Sequence, residues 1–229
     1  MEYRVEKKYL VSDTELEVLA SKLKIIMKND ANQDGGAYTI RSLYFDDFFD
    51  SGMKENEAGV DNRKKFRIRT YSHKAETLYL ECKEKHRGYT KKRRNILSRK
   101  ECICLLQYGD LMFDSRCVLN ELLLARKVAL MKPRVIIEYE RSAFVHPLGN
   151  VRITFDRNII ATKCCEDFLV KDMTQRIPIL PSKMHVLEVK YDEYLPQEIS
   201  QLLEDGNLKQ IAFSKYYLGR LAVNGEFVY

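Results

Sequence analysis

The chain has 229 residues, 45% of them hydrophobic and 31% charged, with a formal net charge of +6 and a pI near 8.9. That is enough chain and apolar content for one globular domain, 1–229, with a real core, and the mild basicity points toward an anionic partner. No run approaches the 18 apolar residues of a membrane span, and Met1-Glu2-Tyr3-Arg4-Val5-Glu6-Lys7-Lys8 is no signal peptide, so the chain reads as soluble and cytoplasmic.

In chain order, residues 3 to 11 read as a strand. Ser12-Asp13-Thr14-Glu15 follows as a capping box, opening a helix with Leu16, Leu19, Leu23 and Ile26 near a 3.6-residue period. Asn32-Gln33-Asp34-Gly35-Gly36 is a turn, 38 to 45 a strand, and 46 to 57 an acidic, aromatic stretch with a short helix. Residues 64 to 71, 77 to 86 and 89 to 97 form three closely spaced strands, read as an antiparallel meander. Residues 99 to 108 and 115 to 131 are helical, the second through Leu119, Leu122, Leu123, Val128 and Leu130. Strands follow at 133 to 144, 151 to 157 and 186 to 191, with an irregular segment at 164 to 181. Two helices, 196 to 204 and 208 to 222, close the chain. No repeat, low-complexity tract or linker divides it. The class is α+β, about eight antiparallel strands with interspersed helices; closing them into a barrel removes the sheet edges.

Several strands alternate charged and apolar residues, and alternation places one set on one face. Arg4, Glu6 and Lys8 share a side. So do Lys65, Arg67 and Arg69; Glu81, Lys83 and Lys85; Arg152, Thr154 and Asp156; Glu188 and Lys190. The opposite positions are largely Val, Ile, Leu, Phe and Tyr. The strand at 133 to 144 alternates less cleanly: Tyr139 and Arg141 fall with Val135 and Ile137. The parity of Lys91-Lys92-Arg93-Arg94 is open on pattern alone. Between Arg63 and Lys100 there are fifteen Lys and Arg against three Glu and no Asp, more than the whole positive surplus of the chain.

A charged strand face is ordinarily solvated surface. If these faces point inward around a closed sheet, however, they line a cationic tunnel. Arg grips phosphate oxygens in a fork and Lys acts as a point charge, while a few carboxylates suit Mg²⁺ or Mn²⁺ shared with phosphate. Other chemistries lack their signatures. His73, His86, His146 and His185 have no metal spacing, and the six cysteines show no C-x-x-C pair and read as reduced thiols. No P-loop and no G-x-G-x-x-G is present. Lys91 to Arg94 lack the aromatic interleaving of an RNA-binding patch, so no nucleic-acid partner is expected.

Arg4-Val5-Glu6-Lys7-Lys8-Tyr9 resembles the E-x-E-x-K signature of the CYTH, or triphosphate tunnel metalloenzyme, superfamily. Arg41-Ser42-Leu43-Tyr44-Phe45-Asp46, Phe66-Arg67-Ile68-Arg69-Thr70-Tyr71 and Leu80-Glu81-Cys82-Lys83 resemble one branch, the VTC-type polyphosphate polymerase domain. So do Tyr139-Glu140-Arg141-Ser142-Ala143-Phe144, Val151-Arg152-Ile153-Thr154, Leu187-Glu188-Val189-Lys190 and Phe213-Ser214-Lys215-Tyr216-Tyr217. The order is kept nearly end to end. The resemblance implies an eight-stranded antiparallel β-tunnel with helices outside. It also implies metal-dependent transfer of the ATP γ-phosphate onto a polyphosphate chain, releasing ADP.

Carried over residue by residue, Lys8, Arg67, Arg69, Lys83, Arg141, Arg152 and Lys215 form the catalytic set. Arg4, Lys85, Lys92, Arg94, Tyr139 and Lys190 bind substrate, Arg94 being chosen over Arg93 without a pattern to decide it. Glu188 and Glu6 hold Mn²⁺ or Mg²⁺. Arg4 stands where the superfamily's triphosphatases have their first metal-binding Glu, a departure that disfavours plain triphosphate hydrolysis. The chain leaves no room for the SPX-like domain and membrane anchor of the eukaryotic polymerases, so a stand-alone prokaryotic catalytic domain is the expectation. Two alternatives stay open: a tunnel triphosphatase, and a non-catalytic polyphosphate-binding module. Acceptor, chain length, physiological metal, fate of the product and oligomeric state are not encoded in these patterns.

Overall fold

A computed structural model describes residues 5–31, 33, 36–87, 89–206 and 208–226. The chain folds as two compact units. One comprises Met1–Thr39, Tyr139–Ile159 and Leu180–Phe213; the other comprises Ile40–Glu138, Ile160–Ile179 and Ser214–Tyr229.

In the first unit, strand β1 (Val5–Ser12) pairs antiparallel with β10 (Met184–Tyr191) on one side and the two-residue β11 (Lys209–Gln210) on the other. β10 pairs in turn with β8 (Val151–Thr162). The short β2 (Lys28–Asn29) pairs with Phe144 and Val145 of β7 (Lys132–His146). Helix α1 (Asp13–Ile26) starts at the expected capping box: the Ser12 Oγ accepts from Glu15 N, and Glu15 accepts from Ser12 N at 2.7 Å. A cap of this kind is worth about 1 kcal/mol. α1 buries Leu16, Leu19 and Leu23 on the apolar side of the strands, where they meet Ile153, Phe155, Leu187 and Val189, and Ile199 of α5 (Gln197–Asp205) joins them. That core holds the strands' other face, with its charged residues, away from the helices.

In the second unit, the later part of β3 (Tyr38–Asp46) leads an antiparallel meander with β4 (Arg63–Thr70), β5 (Thr77–His86) and β6 (Tyr89–Ser98). The apolar side, Leu43, Phe45, Phe66, Ile68, Leu78, Leu80 and Leu97, packs against Cys102 and Leu105 of α3 (Arg99–Leu106) and Leu119 and Leu122 of α4 (Cys117–Ala129). α2 (Ser51–Glu57), β9 (Ile177–Pro178, against Ile160 and Ala161 of β8) and α6 (Lys215–Asn224) complete the unit. Both faces of β7 are buried from Val135 to Tyr139, which is why its alternation is unclear in sequence.

Three expectations change. The sheet is antiparallel and the class is α+β, but among the described residues β11 and β6 each have a strand neighbour on one side only, so an eight-stranded closed barrel is not what the pairing gives. β6 tolerates its open edge because Lys91, Lys92, Arg93 and Arg94 charge it. The last predicted helix, 208 to 222, is instead β11 followed by α6, which starts at Ser214 as N-cap. Val128 and Leu130, counted with the apolar pattern of α4, are 77% and 60% exposed: Val128 falls on the helix's solvent side, and Leu130 is its C-cap, with a left-handed φ of 51°. No helix among the described residues is long and apolar enough to cross a membrane.

Candidate functional site

The charged faces expected from strand parity exist, one in each unit. In the first unit the register sets Lys8 opposite Glu188 and Glu188 opposite Thr154; the next row is Glu6, Lys190 and Arg152. The Lys8 ammonium lies 3.0 Å from Glu6 and donates to the Phe213 carbonyl at 2.8 Å. Lys190 bridges Glu188 at 3.1 Å and Glu6 at 3.8 Å. Arg141 forks onto Asp156, donating from Nε at 2.6 Å and Nη2 at 2.8 Å, and lies 3.6 Å from Glu188. Burial opposes the Arg141 charge, but Asp156, fully buried beside it, outweighs burial and raises its pKa further. The Tyr139 ring lies under the Arg141 guanidinium, 5.3 Å away. Arg152 donates to Asp30 at 3.0 Å and to the Tyr38 hydroxyl at 3.2 Å.

In the second unit the centre is Glu81, 4% exposed. Arg67 donates to it from Nε at 2.7 Å, Lys92 is ion-paired to its other oxygen, and the Arg69 Nε lies 3.9 Å away. Burial would raise the Glu81 pKa, yet Arg67, Arg69 and Lys92 together pull it down to about 2. Lys92 keeps 47% of its side chain exposed, but its ammonium end sits inward on Glu81 beside Arg67 and Arg69. Desolvation there is the largest influence on Lys92 and, despite Glu81, lowers its pKa to about 8. The β5–β6 register settles the parity of the basic run. Lys92 and Arg94 stand opposite Lys83 and Glu81, with Arg94 over the Tyr79 ring at 5.5 Å, whereas Arg93 turns to the other side and holds Glu121 and Glu84. Lys85 stands farther along, 3.2 Å from Asp61. Lys215 is half-buried in the first turn of α6, directly after the Ser214 cap. Arg4 lies outside the described residues.

Sequence reasoning placed Asp156 on the charged face without naming it a site residue, and assigned no role to Asp30, Tyr38, Ser42 or Tyr44. Ser42 and Tyr44 pair with Arg69 and Arg67, and Tyr44 accepts a bond from Arg67 at 3.1 Å. Their shared parity on β3 was the available signal; Asp30 and Tyr38 carry none. Arg41, between these positions, faces the opposite way. It donates to Glu138 at 2.7 Å and to the carbonyls of Asp167, Phe168, Val170 and Lys171, so it clamps the irregular segment.

Among the described residues, a divalent ion has two sets to consider. Cys82, Glu84 and Glu121 approach one another closely, but burial pushes the Cys82 thiol up to about 11, and Arg93 and Lys64 already hold both carboxylates. That group is an ion-pair network between β5 and α4. Glu188 is the better fit: it is 6% exposed, and opposite it the buried Thr154 hydroxyl has no hydrogen-bond partner. One carboxylate suffices where phosphate oxygens fill the remaining positions.

Among solved structures, a candidate adenylate cyclase from Bacillus halodurans matches with a TM-score of 0.56 at 15% identity, over 93% of this chain and 94% of that one. This likeness shows a common fold. Proteins from Pyrococcus horikoshii and Pyrococcus furiosus match with TM-scores of 0.48 and 0.45, at 11% and 13% identity. They cover 94% and 90% of this chain, and 97% and 91% of their own. No curated protein matches the sequence. The family model described as VTC domain matches residues 3–224, and the chain therefore belongs to the VTC domain family.

Proposed function

We propose that this chain is a metal-dependent polyphosphate polymerase, holding its substrate in a cationic tunnel of the kind the family resemblance implies. In the reaction, the bond between the γ-phosphorus of ATP and its β–γ bridging oxygen breaks. A new bond forms from that phosphorus to a terminal oxygen of the polyphosphate chain, and ADP leaves with the bridging oxygen.

The observation that carries the reading is the Glu81 cluster. Three cations, Arg67, Arg69 and Lys92, share one buried carboxylate. Their charge exceeds what Glu81 neutralises, and a polyanion is the natural balance. Phosphoryl transfer asks for positioning and charge neutralisation, which such groups supply. Lys83, Lys85 and Arg94 extend that face, and Lys8, Arg141, Arg152 and Lys190 offer a second cationic face in the other unit. Glu188, with Glu6 nearby across Lys190, would hold Mg²⁺ or Mn²⁺, which neutralises charge on the transferred phosphoryl group when bound. The test is purified protein with ATP and Mn²⁺, read on a polyphosphate-staining gel beside an ADP assay. A polymer ladder with matching ADP is expected, reduced roughly 100-fold in Arg67→Ala. Orthophosphate without polymer would instead indicate a triphosphatase.

A second reading, a polyphosphate-binding module without turnover, is favoured by one feature. Glu188 has cations on two sides, Arg141 at 3.6 Å and Lys190 at 3.1 Å, and their positive charge opposes a metal ion there, so the carboxylate is a weakened metal ligand. That reading predicts tight polyphosphate binding and no product with any metal.

A further inference from the structure

Among the described residues, two hydroxyls in the charged faces are buried without a partner. Ser42 is fully buried and its Oγ makes no hydrogen bond; Thr154 is 2% exposed and its Oγ1 makes none. Each stands beside a residue already placed in the phosphate-handling set. Ser42 is directly opposite Arg69, whose Nε is likewise buried without a hydrogen bond, while Thr154 is directly opposite Glu188. Folding ordinarily satisfies such groups, because an unpaired buried donor costs roughly 1–3 kcal/mol. Around Glu81 the satisfied and unsatisfied groups divide in an orderly way. Arg67 and Lys92 are bonded to Glu81, and it is Arg69 and its cross-strand neighbour Ser42 that are left with unused donors.

We propose that Ser42 and Thr154 are phosphate-binding residues, their hydroxyls donating to phosphoryl oxygens, Ser42 jointly with the Nε–H of Arg69. This rests on the phosphate-binding reading above. The pairing has a chemical purpose. A neutral donor adds a directed bond to a phosphoryl oxygen without adding a charge to a face where cations already repel one another. Arg69 supplies charge and Ser42 supplies direction.

The hypothesis makes stability and affinity move in different directions. A hydroxyl that serves the fold lowers the melting temperature when removed. One that awaits a ligand has no partner to lose, so its removal leaves the melting temperature unchanged or higher. The experiment is calorimetric titration with tripolyphosphate, together with thermal melts, on the wild type, Ser42→Ala, Ser42→Cys and Thr154→Val. Cysteine keeps the shape of serine with a weak donor, and valine keeps the shape of threonine with none. Each variant is expected to bind about tenfold more weakly, about 1.4 kcal/mol, without a lower melting temperature. Variants that bind tripolyphosphate like the wild type overturn the assignment, whatever their melting temperatures. So does a drop in melting temperature with unchanged affinity, which would make the hydroxyls structural. If the wild type itself does not bind tripolyphosphate, the phosphate reading fails and takes this assignment with it; if only the variants are unaffected, that reading stands alone.

Discussion

Glu81 shows how one carboxylate makes a cationic strand face compatible with folding. Arg67, Arg69 and Lys92 would repel one another on a buried surface, and a single anion at the centre turns that repulsion into attraction. The Glu81 pKa falls to about 2 in the folded chain from 4.5. A depressed carboxyl pKa means stability that is present above the unfolded value and lost as pH falls through the folded one. The window is therefore pH 4.5 to about 2, and the size is about 3 kcal/mol at 1.36 kcal/mol per unit. Glu81→Gln should accordingly be less stable than the wild type by about that amount at pH 7, with the difference shrinking to near zero at pH 2. Urea melts across that range check it; parallel curves at all pH values would mean that Glu81 is not the counterion. Lys92 titrates near pH 8, so its share of any anion affinity is present below that pH and fades above it.

At the level of elements, parity determines which side chains can meet a ligand, and tight helix packing determines how steadily they are held. The spacing in β4, β5, β8 and β10 was legible because alternation is local: the boundaries of β4, β5 and β10 fall close to those expected, although β8 runs on to Thr162, and the capping box at Ser12 and Glu15 is a sequence signature. β11 was not legible, because two residues become a strand only by meeting Tyr9 and Leu10 from the far end of the chain. The same holds for Asp30 and Tyr38, whose partnership with Arg152 exists only in the folded chain. The Lys91 to Arg94 run needed its partner strand to decide which cations face Glu81. α6 carries Lys215 and lies so close on β7 that a Cβ at Gly219 would come within 2.2 Å of the Ile137 Cδ1. An added methyl can be met by turning the tip of Ile137, but a larger side chain cannot. Gly219→Leu should cost about 1–3 kcal/mol by overpacking and displace α6. It should lower tripolyphosphate affinity as much as Lys215→Ala does, whereas Gly219→Ala should be milder in both. Melts and calorimetry decide; a Leu variant with wild-type stability and affinity would show that α6 does not position Lys215.

For the molecule as a whole, the charge distribution bears on the ligand proposed above. The surplus of +6 is small, but the stretch from Arg63 to Lys100 carries far more than its share, and β4, β5 and β6 collect much of it on one face. Each unit also holds buried carboxylates among its own cations: Glu81 in one, and Asp156 and Glu188 in the other. What they leave unbalanced was visible in composition, while the identity of the counterions was not, since carboxylates are scattered through the sequence and only folding selects them. A chain with uncompensated positive charge is stabilised by the anion that completes it. Tripolyphosphate at a hundred times its dissociation constant should add about 2.7 kcal/mol by mass action. For a chain of this size that is a rise of roughly 5–10 °C in melting temperature. Chloride at equal ionic strength should not reproduce the rise, because it screens the cations without bridging them. Glu81→Gln should gain more from tripolyphosphate than the wild type does, since removing the internal anion raises the net positive charge around Arg69 and Lys92. An equal rise with chloride, or a smaller gain in Glu81→Gln, would mean that the cations are neutralised by general screening rather than by a bound chain of phosphates.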